Sequence, residues 1–249
     1  MVSTPDLVRY LDELLDASSI KDYCPNGLQV EGAAVVVRAV FAVTASLAVV
    51  EQAAAAGAQA LLVHHGYFWR GEDPRVVGPR RRRLARLLAE DINLIAYHLP
   101  LDLHPQLGNN AQFGERMGWS VERTGGDRNL ICITTLPQPI SATDLGETLK
   151  QGLDRDPLLV GDLARDLTRI AWCTGGAQDM LEAAIDLGAH AFVSGEISER
   201  TTHLARESGV VYAAAGHHAT ERYGIQALGR HLADHFGIEP VFIDDPNPV

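Results

Sequence analysis

The sequence predicts an α/β protein made of two similar α/β units related by an internal repeat, and three observations carry that expectation. Short apolar runs rich in β-branched residues alternate with amphipathic or alanine-rich segments, the pattern of βαβ units. The stretch from Arg38 to Val63 recurs without a gap from Arg169 to Ser194, since Arg38 matches Arg169 and Gly57 matches Gly188 at one spacing. Histidines and carboxylates follow directly after the apolar runs in both halves. The repeat suggests a first unit over 1–125 and a second over 126–249, with the C-terminal helix packing back on the first.

Each element has a local reason. Ser3 or Thr4 can cap a helix with Pro5 in its first turn, placing Leu7, Leu11, Leu14 and Leu15 on one face. Asp22–Gly27 is a turn cluster leading to a short strand at Leu28–Val30, and Val35–Val43 reads as one buried strand. Leu47–Ala56 is helical by its alanines. After Gly57, Ala60–Val63 is too short for a helix and ends in His64-His65-Gly66 at a strand tip. Adjacent strand residues point to opposite faces, so these two histidines are expected to reach to either side and to suit two neighbouring ions better than one. Taken alone, such a pair more often just begins a loop.

The second half repeats the scheme. Ala142–Leu153 and Pro157–Val160 stand near the places of the first helix and first short strand. Ile92–Tyr97 ends in His98 with Asp102 four residues on, and Val210–Ala215 ends in Gly216-His217 with Glu221 four residues on. The spacing between these two strands is shorter than that of the first match, and the loop Gly71–Gly78, present only in the first half, accounts for the difference.

The chain has 249 residues, enough for two compact halves, and 21 Lys plus Arg against 32 Asp plus Glu give a net charge of −11. That balance argues against generic binding to nucleic acid or an acidic membrane. The start carries neither a basic nor an apolar leader region, and no uninterrupted apolar stretch is long enough to span a bilayer, so a cytoplasmic location is expected. Cys24, Cys132 and Cys173 are too few and too scattered for a disulfide frame or a cysteine zinc site. Arg80–Arg83 lie on a helix with Leu84, Leu87 and Leu88 and read as a solvated face.

Ligands in open α/β sheets collect beyond the carboxyl ends of the strands. Four such ends here carry His64, His65, His98, Asp102, Glu196, His217, His218 and Glu221. A helix beginning at Glu221 would hold that carboxylate one turn beyond His217, within reach of a common ion. Imidazole and carboxylate without thiolate suit Zn²⁺, Fe²⁺ or Mn²⁺. A carboxylate can bridge two ions roughly 3.5 to 4 Å apart, which together activate water. Each acid taken alone reads more readily as a helix cap or a first-turn charge, and the agreement of the four strand ends is what favours metal.

The motifs Asn26-Gly27-Leu28-Gln29-Val30, Leu62-Val63-His64-His65-Gly66, His98-Leu99-Pro100-Leu101-Asp102 with Gly108-Asn109-Asn110, Ser194-Gly195-Glu196 and Gly216-His217-His218-Ala219-Thr220-Glu221 span nearly the whole chain. In this order they resemble the Nif-three-like family, whose members are often called GTP cyclohydrolase 1 type 2 homologues. The resemblance implies a dinuclear metal site between the two units, held by His64, His65, Asp102, His217 and Glu221 with Glu221 as the bridge. It also implies a toroidal homohexamer whose sites face an inner cavity. The segment Gly126–Leu130 is less glycine-rich than the family's usual loop.

His98 is open to three readings: a ligand, a proton shuttle, or a partner orienting Asp102. Glu196 would serve as a general base or hold a ligand in orientation. Trp69, Arg70 and Arg222 suit a flat anionic substrate, and equally surface or subunit contacts. The leading expectation is a hydrolase using two divalent ions on a small-molecule substrate, with ring opening of a purine nucleotide such as GTP as the candidate reaction that the resemblance names. A phosphoesterase or amidohydrolase, and a metal-binding assembly or adaptor protein without turnover, are the alternatives.

Overall fold

The computed structural model describes residues 1–249, which fall into two compact units: Met1–Gly108 with Gly224–Asp245, and Asn109–Tyr223 with Pro246–Val249. The division comes before the 125/126 junction suggested by the repeat. Its cause is the helix after Gly108, whose Phe113 and Met117 are buried in the core of the second unit.

The first unit opens with a two-residue strand β1 (Val2–Ser3) and helix α1 (Thr4–Leu14). The Ser3 hydroxyl caps α1 by accepting the Asp6 N–H at 3.2 Å, and Leu7 and Leu11 are fully buried. Next come β2 (Gly27–Val30), β3 (Val35–Val36) and β4 (Arg38–Thr44). The run expected as one strand is thus divided at Val37, whose N–H donates to the Gln59 side chain; β3 pairs with β1, leaving β4 to the main sheet. Helix α2 (Leu47–Ala55), strand β5 (Ala60–His65), helix α3 (Gly78–Ala89), strand β6 (Asn93–Ala96) and the short α4 (Leu99–Leu103) follow.

The second unit contains α5 (Asn109–Met117), β7 (Arg123–Gly125), β8 (Ile131–Ile140), α6 (Ala142–Leu153), β9 (Leu158–Val160), β10 (Leu167–Trp172), α7 (Leu181–Asp186), β11 (Ala191–Ser194), α8 (Glu199–Ser208) and β12 (Val211–Ala214). Helix α9 (His217–Phe236) starts in this unit, and its residues from Gly224 onward count with the first, as does β13 (Glu239–Phe242). A full capping box, Ser141 with Asp144, starts α6.

The first unit's sheet runs β13-β4-β5-β6-β2, parallel except for β2. Its central strands are apolar throughout because both faces are covered. Phe41, Leu62 and Ile95 meet Leu7 and Leu11 of α1 and Ile225, Leu228 and Leu232 of α9 on one side. Val40, Leu61 and Leu94 meet α2 and α3 on the other. The second unit's sheet runs β7-β8-β10-β11-β12-β9, with β10, β11 and β12 parallel and β8 and β9 antiparallel to them. Four parallel strands in the first sheet and three in the second therefore run in one direction, with an antiparallel edge strand beside β6 in the first and beside β12 in the second. No helix is long and apolar enough to cross a membrane.

Candidate metal centre

In the first unit the cluster is built from the ends of β5 and β6. His64 is completely buried, and its Nδ1 lies 3.1 Å from the Tyr97 carbonyl. A carbonyl only accepts, so Nδ1 carries the proton and Nε2 keeps its lone pair. That Nε2 is 3.6 Å from Asp102 Oδ1. His65 Nδ1 lies 3.2 Å from the Thr44 hydroxyl at the end of β4. The two neighbouring rings do not diverge as strand alternation predicts: their centroids are 4.4 Å apart. His64 is tied to the residue after β6 and His65 to the end of β4, on either side of β5. Gly66 is required here, because a Cβ would come 2.3 Å from Gln29 Oε1 and 2.6 Å from the Ala96 Cβ.

His98 follows β6 and precedes α4, with its ring 5.1 Å from that of His64 and 5.8 Å from that of His65. His64, His65 and His98 each offer a nitrogen such that all three atoms lie within 4.8 Å of one another. His98 Nδ1 is 2.8 Å from Asp22 Oδ1, and its backbone N–H donates to Asn26 Oδ1 at 2.8 Å. Burial works to raise the Asp22 carboxyl, but hydrogen bonds from His98 and Asn26 outweigh it and hold the group down at about 2. Cys24 is also beside this group. Burial, helped by the Asp22 charge, pushes its thiol up to about 12, so it is a poor thiolate. Trp69 stands edge-on to His98 at 4.9 Å. The Arg70 guanidinium and N–H donate to the Asp22 and Tyr23 carbonyls, which ties the loop carrying Trp69 to the turn before β2.

In the second unit the cluster sits at the start of α9. The helix begins at His217 and not at Glu221, because Gly216, with φ of 97°, turns the chain directly into it. Glu221 is consequently one turn inside, and its Oε2 lies 3.2 Å from His217 Nε2. On the other side of the ring, His217 Nδ1 meets Glu196 Oε1 at 2.6 Å. Burial would lower the imidazole, but the two carboxylates, Glu221 foremost, push it up to about 9. The Glu221 side chain is only 4% exposed. A cradle of glycines makes this possible. At Gly175, with φ of 71°, a Cβ would fall 2.0 Å from Glu221 Oε1, and at Gly195 it would fall 2.5 Å from the His217 Cα. Thr220 accepts the Gly175 N–H at 3.0 Å and fixes that turn to α9.

Sequence reasoning passed over Asp22, Gly175 and Thr220 as parts of these clusters. Asp22 and Thr220 stand inside or beside motifs already noted, and Thr174-Gly175-Gly176 follows the end of β10 as His64-His65-Gly66 closes β5.

A sequence model of the Duf34/NIF3 (NGG1p interacting factor 3) family matches residues 2–248. A protein of Pseudomonas aeruginosa named GTP cyclohydrolase 1 type 2 homolog is 52% identical over 251 residues, covering 100% of this chain and 99% of its own. A solved structure described as protein ybgI, of unknown function, superposes with a TM-score of 0.96 at 45% identity, covering 100% of both chains. TTHA1606 from Thermus thermophilus does so at 0.91 and 33%, again over 100% of both.

Proposed function

Because the chain belongs to the Duf34/NIF3 family, with its mixed α/β fold, we propose that it is a hydrolase of a small, flat, anionic substrate that works with two divalent metal ions. The ligands in this reading are His64, His65 and Asp102 of the first unit with His217 and Glu221 of the second, Glu221 bridging. The donor set suits Zn²⁺, Fe²⁺ or Mn²⁺. One observation carries the reading. His64 and His217 both have Nδ1 committed, to the Tyr97 carbonyl and to Glu196, so each turns Nε2 toward a carboxylate, as metal-binding histidines do.

Ions bound there would polarise an electrophilic carbon or phosphorus and make water acidic enough to attack it near neutral pH. The chain's own groups have separate tasks. Glu196 orients His217 through Nδ1 and balances its charge. Asp102 approaches His64 from α4, and Gly66 and Gly175 leave room for the close approach of the ligands. Trp69 and His98 form an aromatic corner against which a flat ring can pack. The relatives' name supports a purine nucleotide such as GTP as the substrate to try first. In the same reading the protein is a cytoplasmic homohexamer, its two units being copies of one ancestral α/β unit.

The test is metal content per chain after purification without added metal, with turnover measured on GTP, other nucleotides and phosphoesters. Two equivalents with turnover abolished by a chelator supports the proposal. Two equivalents without turnover on any of them favours a metal-handling or adaptor role, and a phosphoester as the sole substrate favours a phosphoesterase. Glu221→Gln should lose at least one ion per chain; unchanged content removes its bridging role. Light scattering reads the oligomer.

A further inference from the structure

Asp22 lies in the turn before β2, far along the chain from the histidine it touches. Its side chain is only 2% exposed, and both of its oxygens meet donors. Oδ1 takes His98 Nδ1 at 2.8 Å and the N–H of its neighbour Tyr23 at 2.5 Å. Oδ2 takes the Leu99 N–H at 2.9 Å and Asn26 Nδ2 at 3.0 Å. The Asn26 amide cannot turn over, because its Oδ1 already accepts the His98 N–H.

We infer that Asp22 is the positioning residue of His98, fixing the neutral ring as the Nδ1–H tautomer so that Nε2 is the acceptor it offers beside His64 and His65. A carboxylate only accepts, so the 2.8 Å contact requires the proton on Nδ1. The same carboxylate holds the first N–H of α4, the turn that carries Asp102, so ring and turn are set together. The acceptor at Nε2 suits a hydrogen bond or a proton from water or substrate at the cluster. Its use in turnover rests on the function proposed above, whereas the tautomer does not.

Asp22→Asn tests this sharply. The amide oxygen must serve Leu99 N–H and Asn26 Nδ2, neither of which can change role, while His98 alone of the facing partners can become an acceptor. The new NH₂ therefore turns to His98 Nδ1, conceding the Tyr23 N–H, and the ring inverts to Nε2–H.

The readout is two-bond ¹⁵N–¹H correlation of the His98 imidazole in metal-free, ¹⁵N-histidine-labelled protein, assigned with His98→Gln. The Nδ1–H pattern in the wild type and Nε2–H in Asp22→Asn is the expected result. An Nε2–H ring in the wild type overturns the inference even if the variant fails to fold, and so does an unchanged tautomer in a folded variant. Zinc added to both proteins separates this from the metal reading. Wild-type zinc content in the variant is expected, and loss of zinc would make His98 a ligand and overturn its role as an acceptor. Absence of zinc from the wild type itself would strike the proposed function and leave the tautomer standing.

Discussion

His98 and His217 each follow the parallel strand that pairs with an antiparallel edge strand in their unit's sheet, and both rest Nδ1 on a carboxylate, at 2.8 and 2.6 Å. The carboxylates come from opposite directions. Asp22 precedes the whole parallel set of the first unit, whereas Glu196 follows the middle strand of the second. Their surroundings differ more than their distances: the Asp22 side chain is 2% exposed and meets several donors, while Glu196 is 34% exposed. A carboxylate closed in by fixed donors enforces one geometry and cannot be removed cheaply. One open to water orients its histidine while remaining adjustable.

The largest effect expected from breaking this contrast is Asp22→Ala. It strands the Leu99 N–H, Asn26 Nδ2 and His98 Nδ1 in a buried place and should cost about 3 kcal/mol in urea unfolding of the metal-free protein. A loss under about 1 kcal/mol would mean that water replaces the carboxylate freely. Next is Gly175→Ala, whose Cβ would collide with Glu221 Oε1 at a left-handed φ. It should destabilise by about 1 to 2 kcal/mol and abolish metal retention, as read by metal analysis after dialysis; full retention would place Glu221 outside the ligand set. Glu196→Ala should cost less than about 1 kcal/mol in stability yet weaken zinc affinity about tenfold or more. Competition with a chromogenic chelator measures this, and equal weakening in both properties would erase the contrast.

The smallest effects concern pH, and the two pairs act on opposite arms. Asp22 is held at about 2, below its ordinary 3.8, so its contribution is present above 3.8 and lost as pH falls through about 2. His217 is held at about 9, above its ordinary 6.5, so in metal-free protein its contribution is complete below 6.5 and lost as pH rises through about 9. Urea midpoints across pH should show Asp22→Asn flattening the acid arm alone and Glu196→Gln the alkaline arm alone. Zinc binding at pH 7 should release about one proton from His217, seen by calorimetry in buffers of different ionisation enthalpy, and less in Glu196→Gln.

The sequence made the strand ends legible because each is a local pattern: an apolar run, then His64-His65-Gly66, His98 or Gly216-His217. The parallel βαβ order was legible for the same reason. The start of α9 was misplaced because His217–Thr220 carry no capping signal, and the turn is made by the backbone of Gly216. The split at Val37 depends on Gln59, and the hydrogen bonds that hold the two histidine rings on Tyr97 and Thr44, partners beyond their own strand. Asp22 stayed hidden because its meaning lies in contacts with His98 and Leu99, which only the fold brings to it. Local chemistry marks which residues are reactive, and tertiary contacts decide how each is held.

The edge strand β13 pairs with β4 in parallel, Glu239 beside Arg38 through Phe242 beside Phe41, and Ile225, Leu228 and Leu232 complete the core under that sheet. On the ribosome, then, the sheet of the first unit is not complete until long after its other strands have been made. It waits with β4 as an open edge while residues 109–223 emerge, a long interval for an apolar strand to meet another nascent chain. A stop codon ahead of Glu239 would accordingly damage the N-terminal part of the protein, and chaperone dependence should be greatest for such shortened chains.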